Sequence, residues 1–391
     1  VPRSAFAFEA AMKMANYKIQ HLAVVEDEKL VGVLSERDLF SMQRVGMVNL
    51  SKSISRAATV EEVARLASDV HVLVAQMIAQ GQKVGQITQI ITLLNDHIAV
   101  RLIELALADH GGVPPVPFTW IAFGSEGRQE QTLKTDQDNG ILFEAPEGMS
   151  ADEARALLMP LAEKINLALD ACGFPLCTGG IMAKNPECCL SMDEWKTRFA
   201  QWIDQGTPEH VLKSSIFFDF RVIWGPREKP GELREWLMGK AGANRRFQKQ
   251  MAANALQNAP PLGLIRDFRL SGTGAEANTI DLKFSGVTIF IDAARIMSLG
   301  RNVPDTNTVE RLRAVAAAGG IDPHDADAWV DAYDYIRLLR MRINQDQATE
   351  GRELSNRVAP TRLNDLDRRI LKEAFREARR LQVKLALDYQ L

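Results

Sequence analysis

Residues 118–143 read FTWIAFGSEGRQEQTLKTDQDNGILF, and the apolar runs at the two ends of this stretch predict two strands. Between the runs lie a Gly-Ser pair, Gly124 and Ser125, and an Asp-x-Asp pair, Asp136 and Asp138. Because successive side chains of an extended segment point to opposite faces, the two aspartates are expected to point to the same side. Neighbouring carboxylates repel each other unless a cation lies between them. The stretch therefore predicts a strand–turn–strand unit with paired acids beside a tight turn.

The residue types in this unit suit a phosphate and a metal ion. Gly124 allows backbone N–H groups to approach an anion closely, and the Ser125 hydroxyl adds a donor. The turn is not a Walker P-loop, because the required Lys-Ser/Thr is missing, and it is not a Rossmann turn, because G-x-G-x-x-G is absent. Paired carboxylates suit Mg²⁺ or Mn²⁺, which keep waters and substrate phosphates as further ligands. A third acid on a later strand would complete a site for nucleotidyl transfer.

The composition is that of a water-soluble globular protein. The chain has 391 residues, of which 46% are hydrophobic and 25% charged, and this length allows two or three domains. The formal net charge of −3 gives no general attraction to nucleic acid or to a membrane. No run reaches the ~18 apolar residues of a membrane helix, and the first residues do not resemble a signal peptide. We expect a cytoplasmic protein.

The four cysteines are Cys172, Cys177, Cys188 and Cys189. Their spacing does not match a zinc site, and no histidine lies among them. Adjacent cysteines rarely bridge one another, and a chain of this size does not need disulfides for stability. We expect reduced thiols, with no zinc and no disulfide.

A short unit of two strands and a helix is predicted within residues 1–45. The strands are 21–25 and 30–34, and Ser35 is placed to cap the helix that follows. The stretch HLAVVEDEKLVGVLSERDL resembles the second half of a CBS domain, which implies that Ser35 and Asp38 hold the ribose and phosphate of an adenine nucleotide. CBS motifs work in pairs, and only one is present. A partial nucleotide site and a hairpin that packs on its neighbour without a ligand both remain open.

Residues 50–112 are predicted to form a helical spacer of two helices. Thr59 and Glu62 make a capping-box pattern, and apolar residues recur at helical spacing on both sides of a glycine-containing break. We interpret the apolar faces as packing surfaces and not as a cofactor site.

Strands and helices alternate over residues 113–245. Besides the two strands of the opening stretch, the apolar run 215–224 predicts a third. Capping patterns place helix starts at Ser150, Ser191 and Thr207. In the first of these helices a proline, Pro160, is expected to introduce a kink or a late start.

Residues 246–391 are predicted to be mainly helical. A hairpin is expected over 280–291, with its turn at Ser285-Gly286. The predicted fold class is therefore α+β. It comprises a small mixed-sheet domain flanked by helices, preceded by the partial CBS unit and helical spacer, and followed by a mainly helical domain.

The motif GSEGRQEQTLKTDQDNGI resembles the nucleotidyltransferases of the DNA polymerase beta superfamily. It is most similar to the PII-uridylyltransferase-like nucleotidyltransferases that bacteria fuse to CBS domains. The resemblance extends to GGIMAKNP (179–186), SIFFDFRVIWG (215–225), IDLKFSG (280–286) and the helical tail. It implies a small mixed sheet flanked by helices and a C-terminal domain that helps to hold the substrate.

The resemblance also implies roles for individual residues. Asp136 and Asp138 match the metal-binding pair, and Gly124 and Ser125 match the phosphate-binding turn. Asp219 is the predicted third carboxylate, because an unpaired acid in the middle of a strand between aromatic residues would be costly. Neutralisation of this acid by its neighbour Arg221 is the alternative.

Cationic and amide side chains complete the predicted site. Arg128 is placed to pair with a triphosphate, or alternatively to form a structural ion pair with Glu130 or Asp136. Lys184 and Asn185 are expected to reach the nucleotide or the acceptor. For three arginines of the C-terminal region we expect a solvated face in preference to the acceptor side: Arg337, Arg340 and Arg342.

The implied reaction is attack by an acceptor on the α-phosphate of a nucleoside triphosphate. Two metal ions on Asp136, Asp138 and Asp219 would assist it. The acceptor is expected to be a protein or a small molecule, since the net charge argues against nucleic acid. A complete CBS pair would bind an adenine nucleotide and regulate the reaction, and a homodimer is compatible with this organisation. The alternative is a nucleotide-sensing signalling module without catalysis, but an intact set of acids favours the enzyme.

Overall fold

The computed structural model describes the chain except residues 4, 6–9, 11–12, 15–16, 18, 27–28, 134 and 264–267. For residues 36–37, 39–45 and 275 it describes the backbone only. The structure divides into two compact units, residues 1–57 and residues 58–391.

The first unit contains an antiparallel pair of strands and a helix. Strands β1 (His21–Glu26) and β2 (Lys29–Ser35) pair from His21–Ser35 to Glu26–Lys29, and helix α1 (Glu36–Arg56) follows directly. Ser35 caps α1, because its hydroxyl accepts from the Asp38 amide while the Asp38 carboxylate accepts from the Ser35 amide. Both predicted strands and the cap are confirmed. In this structure the Ser35 hydroxyl donates a hydrogen bond to the Asp38 carboxylate, with Oγ and Oδ2 2.6 Å apart.

The second unit begins with the two predicted spacer helices, α2 (Val60–Ala79) and α3 (Val84–Asp109). Thr59 caps α2 by accepting a hydrogen bond from the Glu62 amide at 3.2 Å. The apolar faces of both helices are buried, as their spacing predicts. They are packing surfaces of the second unit.

The sheet of the second unit has four strands: β3 (Phe118–Ala122), β4 (Asn139–Phe143), β5 (Cys189–Ser191) and β6 (Arg221–Trp224). Their order is β5-β4-β3-β6, with β3 antiparallel to β4 and β6, and β4 parallel to β5. The predicted small mixed sheet is therefore confirmed. The central strands β3 and β4 are buried at every position, so each face of the sheet is covered.

Six helices lie between or after the strands of this sheet along the chain: α4 (Gly124–Gly127), α5 (Ala151–Ala171), α6 (Met192–Gln205), α7 (Pro208–Phe217), α8 (Glu228–Ala243) and α9 (Arg245–Ala255). Complete capping boxes open α5 at Ser150 and α6 at Ser191, and Thr207 caps α7. The start of α5 is not delayed, because Pro160 lies inside the helix, which begins at Ala151.

The strand predicted for 215–224 is wrong over its first half. Thr207 and Pro208 open α7, which continues to Phe217, and only Arg221–Trp224 forms a strand. The apolar run comes from buried aromatic residues on both sides of the helix end, among them Phe217 and Phe218. A short apolar run does not distinguish a buried strand from the end of a buried helix.

The C-terminal region contains β7 (Ile280–Asp281), a π-helical turn (Lys283–Val287), α10 (Thr288–Leu299), α11 (Thr308–Ala317), α12 (Pro323–Thr349), β8 (Arg357–Val358) and α13 (Asp365–Tyr389). The hairpin predicted for 280–291 is wrong, because β7 pairs with β8 and the following residues turn into a helix. The Asp281 carboxylate causes this turn by accepting from the amides of Lys283 and Phe284.

One hydrophobic core connects the sheet to the C-terminal helices. An aromatic cluster lies beneath the sheet, with ring centroids 5.7 Å apart for Phe123–Trp195 and 4.7 Å apart for Phe123–Phe217. The same core continues through Phe290 and Tyr333 to Phe375 on α13. Because no break separates these layers, residues 58–391 pack as a single body around the site.

All four cysteines are free. Among the described residues, no helix combines the length and apolar character needed to cross a membrane.

Candidate active site

The turn after β3 is built on two glycines that cannot carry a side chain. Gly124 has a φ of +55°, and a Cβ atom there would lie 2.9 Å from Oδ2 of Asp138. A Cβ atom on Gly127 would lie 1.8 Å from the backbone oxygen of Asp219. The GSEG sequence is therefore required by close approaches to two other segments, one of which carries a predicted metal ligand.

The segment after this turn separates its side chains onto two sides. Gln137 and Asn139 are buried and bond to Asn166 of α5, whose Nδ2 donates to Gln137 at 2.7 Å and to Asn139 at 2.9 Å. Asp136 and Asp138 alternate with them and both line one cavity. The buried amides thus fix the direction in which the two aspartates point, as the alternation of the sequence predicts.

That cavity, which we call the central cavity, has a volume of about 150 Å³. One wall belongs to the segment between β3 and β4: Ser125, Arg128, Glu130, Thr132, Thr135, Asp136 and Asp138. The other wall belongs to the C-terminal region: Lys283, Val287, Thr288, Ile291, Tyr333, Arg337, Arg340 and Asn356. Asp136 and Asp138 on the first wall therefore share a small space with the three cations of the second.

Arg337 and Arg340 belong to this second wall and not to a solvated face. Their exposed fractions are only 4% and 9%, so the expected solvated face is wrong for both, whereas Arg342 is exposed as expected. Nη1 of Arg337 donates to Asp334 at 3.1 Å, but the buried Nη2 has no partner among the described residues. Arg340 Nε donates to Asn356 at 2.6 Å, and burial lowers the pKa of this guanidinium to about 10. An unpartnered buried donor beside a cavity indicates room for an anionic ligand.

Lys283 is the cation that the sequence did not assign to the site. It begins the π-helical turn and is itself exposed. Desolvation by the cavity walls and the charge of Arg340 lower the pKa of Lys283, while Asp136 and Asp138 oppose this shift. The predicted hairpin concealed Lys283, because in a hairpin it would have been one of several alternating surface residues. π-Helical turns often occur at functional sites.

The electrostatics of the aspartate pair fit a cation ligand. Burial raises the pKa of Asp138, and the charge of Asp136 adds to this rise. Lys283 and Arg128 act in the opposite direction, as does a hydrogen bond from the Cys177 thiol. Among the described residues, neither aspartate takes part in an ion pair, so both carboxylates keep oxygens available on the cavity wall.

Asp219 lies elsewhere, in a fully buried cluster with three arginines. Its carboxylate accepts from Arg295 Nη2 at 2.6 Å, from Arg311 Nη2 at 2.7 Å and from Arg128 Nη1 at 3.0 Å. Despite complete burial, these three charges hold the pKa of Asp219 well below its usual range. The structure does not bring Asp219 together with Asp136 and Asp138. The neighbour Arg221 does not neutralise it either, since Arg221 pairs with Asp96.

Arg128 connects this cluster to the central cavity. Its Nε donates to Glu130 at 2.8 Å, and its Nη1 to Asp219. The predicted structural ion pair with Glu130 is thus present, although Arg128 also lines the cavity. Glu130 in turn accepts from the backbone amide of Thr308, the first residue of α11, at 2.6 Å. Two of the three guanidinium nitrogens, Nε and Nη1, are thus engaged by buried carboxylates, and we assign Arg128 to positioning the turn.

Lys184 and Asn185 do not line the central cavity. Asn185 bonds through Nδ2 to the carbonyl of Gly180, and the Lys184 amide donates to Asn166 at 2.9 Å. In this structure Asn185 closes its own loop, and the Lys184 backbone supports the amide network behind Asp136 and Asp138. Neither side chain therefore belongs to the central cavity, and their contact with a nucleotide or an acceptor stays a prediction.

Helix α3 is tied to the back of the site. Asp96 accepts two hydrogen bonds from Arg221 on β6, at 2.7 and 2.9 Å, and Arg221 also donates to the carbonyl of Glu126 in the turn. Asn95 donates to Gln131 at 3.2 Å. The second spacer helix therefore contacts both the turn and the strand that frame the central cavity.

A larger cleft of about 990 Å³ lies next to the central cavity. Its walls come from residues 276–281 and 339–367, and it contains Arg342, Arg357 and Arg362 together with several acids. Asn356 lines both the cleft and the central cavity, so one layer of side chains separates them.

The donor set at the aspartate pair fits Mg²⁺ or Mn²⁺ with help from a ligand. Two carboxylates are hard oxygen donors of the type these ions prefer. Among the described residues, no group of three or more His, Cys, Asp or Glu side chains could hold a metal ion. The remaining ligands would therefore be water and phosphate oxygens.

Comparison with known families agrees with this geometry. Residues 68–209 match the family described as Putative nucleotidyltransferase DUF294, and residues 245–389 match its Putative nucleotidyltransferase substrate binding domain. Residues 1–44 match the CBS domain. No curated protein matches the chain. The central cavity lies between the first two matched regions, and the chain combines the two DUF294 domains with an N-terminal CBS domain.

Proposed function

We propose that this protein transfers a nucleoside monophosphate from a nucleoside triphosphate to a protein or small-molecule acceptor. The observation that carries the proposal is the central cavity, in which Asp136 and Asp138 share a small space with Lys283, Arg337 and Arg340. A triphosphate with its metal ion needs both kinds of charge, since carboxylates bind the cation and guanidinium or ammonium groups bind phosphate oxygens.

In the proposed reaction the acceptor oxygen or nitrogen attacks the α-phosphorus, the bond to the bridging oxygen of the β-phosphate breaks, and pyrophosphate leaves. Asp136 and Asp138 would hold Mg²⁺ or Mn²⁺. Such an ion supplies Lewis-acid stabilisation of charge on the phosphate oxygens. Lys283, Arg337 and Arg340 would bind the triphosphate and stabilise the charge that develops on the departing pyrophosphate. The Ser125 hydroxyl would donate to a phosphate oxygen, and the proton of the acceptor would pass to solvent.

The chain's main contribution to the rate would be positioning. The amide network of Asn166 fixes both aspartates, and the cluster around Asp219 fixes the turn and the two C-terminal arginines Arg295 and Arg311. Charges that are already oriented do not have to reorganise during the reaction. This preorganisation is the main source of electrostatic catalysis.

The test is incubation of the full-length protein with each of the four nucleoside triphosphates labelled at the α-phosphate, with Mg²⁺ and cell extract. The uridylyltransferase resemblance makes UTP the first donor to examine. A labelled product that disappears with Asp138→Asn and persists with Lys249→Met, which changes an exposed residue of α9, supports the proposal. Equal labelling by Asp138→Asn and the wild type would remove its basis.

A nucleotide-sensing module without catalysis is the second candidate. It is favoured by one observation: Asp219 is neutralised by three arginines, so only two unpaired carboxylates face the central cavity among the described residues. This candidate predicts Mg²⁺-dependent triphosphate binding without any labelled product in the experiment above.

Regulation through the CBS domain is a further part of the proposal. The Asp96–Arg221 pair attaches α3 of the spacer to the turn and to β6, so a shift of α3 would move the turn and β6 beside the central cavity. In a protein containing the whole CBS pair, adenine nucleotide should change the rate of labelling. Asp96→Asn should abolish that change, and equal rates with and without adenine nucleotide in the wild type would contradict this regulation.

A further inference from the structure

The size of the central cavity limits which part of a nucleotide it can enclose. Its volume is about 150 Å³. Pockets that enclose a drug-sized molecule have volumes of about 300–1,000 Å³. The central cavity therefore has room for a chain of phosphates but not for the nucleoside attached to it.

The chemistry of the walls points in the same direction. Among the described residues, the polar groups that face the cavity are cations, carboxylates, hydroxyls and one side-chain amide, that of Asn356, which already accepts from Arg340 through its Oδ1. The aliphatic residues of the lining, Val287 and Ile291, offer no hydrogen bond with which to distinguish one base from another. Charges and hydroxyls recognise phosphate oxygens, whereas a base is distinguished by paired donors and acceptors at its edge.

The only aromatic ring on the described walls is that of Tyr333, and it is not available for stacking. The ring is 1% exposed, the Arg337 guanidinium lies 5.0 Å from its centroid, and the Phe290 ring packs 5.8 Å away. Stacking on an aromatic face is the usual way in which a protein holds a base that it does not read by hydrogen bonds.

The neighbouring cleft offers a base no better support. Among the described residues that line it there is no Phe, Tyr or Trp. Arg357, which could stack on a base, is engaged by Thr279, Ser271 and nearby carboxylates. A nucleoside that extended past Asn356 into the cleft would meet no aromatic ring among the described residues. The two further side-chain amides there, Gln347 and Asn364, already accept hydrogen bonds from the backbone amides of Ser355 and Asp367.

We infer that the central cavity recognises the polyphosphate group and not the base, so that the four nucleoside triphosphates bind alike and inorganic tripolyphosphate is itself a ligand. This inference rests on the proposed function and deepens it, since it names the part of the donor that the site reads. Selection of a particular nucleotide would then have to come from outside the cavity, through the acceptor or through cellular concentrations.

Isothermal titration of the full-length protein tests the inference, with inorganic tripolyphosphate, ATP, GTP, CTP and UTP as probes at one fixed Mg²⁺ concentration. We expect five Kd values within tenfold of one another. Lys283→Met should weaken all five by the same factor of about tenfold or more. Lys283→Arg should retain most of the affinity, because it keeps the charge.

Lys249→Met is the matched control, because Lys249 is an exposed residue of α9 outside the cavity and its loss should leave all five values unchanged. A nucleotide that binds more than tenfold more tightly than tripolyphosphate would overturn the inference and leave the proposed transfer intact. Equal binding of all five probes without any labelled product would support the inference and count against the proposed transfer. The absence of binding by every probe would reject both.

Discussion

Arg128 and Asp219 form a buried ion pair, Nη1 to Oδ2 at 3.0 Å, between residues separated by 91 positions in the sequence. The pair joins the glycine turn after β3 to the segment that leads into β6. Arg295 and Arg311 complete the cluster from the C-terminal region, and Glu130 shares Arg128. A single carboxylate thus holds three cations in an interior that excludes water.

Asp219→Asn is expected to lower the free energy of unfolding by about 3–5 kcal/mol, because it leaves three buried guanidinium groups without their shared carboxylate. Thermal and urea unfolding at pH 7 measure this loss. The matched control is Asp204→Asn, which breaks an exposed pair with Lys240 and should cost less than about 1 kcal/mol. Similar stability of the two variants would show that the cluster is not required for the fold.

The same cluster contributes a pH dependence. The folded-state pKa of Asp219 lies below its unfolded value, so the stabilisation is fully present above the ordinary range of an aspartate and is lost as the pH falls below it. As the pH falls below about 5, wild type should therefore lose stability more steeply than Asp219→Asn. Parallel acid-unfolding curves for the two proteins would contradict this.

Gly127→Ala should destabilise the second unit strongly, because the added methyl group would meet the backbone oxygen of Asp219 at 1.8 Å and the carbonyl oxygen of Ala122 at 3.0 Å. Backbone atoms cannot move aside cheaply, so we expect a loss of about 3 kcal/mol or more. Gly231→Ala in α8 is the control: a methyl group there meets nothing within 4 Å and should gain about 0.5–1 kcal/mol. Urea unfolding of the two variants compares them directly.

Asp136→Asn and Asp138→Asn remove a charge that the bound cation needs and change the side-chain size little. Mg²⁺-dependent binding of a non-hydrolysable triphosphate should weaken by about tenfold or more in either variant. Stability should hold or rise, since two adjacent carboxylates no longer repel each other. Titrations at several Mg²⁺ concentrations and thermal melts measure both effects, with exposed Asp193→Asn as the control. Wild-type affinity and metal dependence in Asp136→Asn would exclude the aspartate pair as the metal site.

Glu126 should make the second unit lose stability as the pH rises from the ordinary glutamate pKa to about 8. Burial and the charge of Asp96, partly opposed by Arg221, raise the pKa of Glu126 to about 8. The folded protein then binds more protons than the unfolded chain between the ordinary glutamate pKa and pH 8, so stability falls as the pH rises through that window. Glu126→Gln should remove this fall and melt higher than wild type at pH 8.5. Exposed Glu163→Gln should not, and a Glu126→Gln variant that follows the wild-type pH profile would contradict the prediction.

The features that the sequence predicted correctly depend on local patterns. Asp136 and Asp138 are two residues apart on an extended segment, which places both side chains on one side. Capping boxes mark the starts of helices at Ser150 and Ser191. Family resemblance supplied the small mixed sheet. These inferences need only a few neighbouring residues or a known relative, which is why they agree with the structure.

The features that it missed depend on distant partners. The sequence predicted Asp219 as a metal ligand, because its three arginine partners are distant in the chain. Arg295, Arg311 and Arg128 lie 76 to 92 positions away, and no spacing rule connects them to Asp219. Arg337 and Arg340 could have been found, because they share a helical face with the buried residues Tyr333 and Ile336. A cation on an otherwise apolar face of a helix indicates a buried partner or ligand more often than a solvated surface.

The attachment of α11 to the glycine turn has a consequence for how related sequences can vary. Thr306, Asn307 and Thr308 all bond to the turn, and Arg311 reaches Asp219 from the same helix. The boundary between the two matched family regions is therefore not a boundary at which relatives could exchange parts. A substitution at Asp219 or Glu130 in one lineage would have to be accompanied by changes at Arg295, Arg311 or Thr308, so these positions should vary together across the family although they belong to differently named domains.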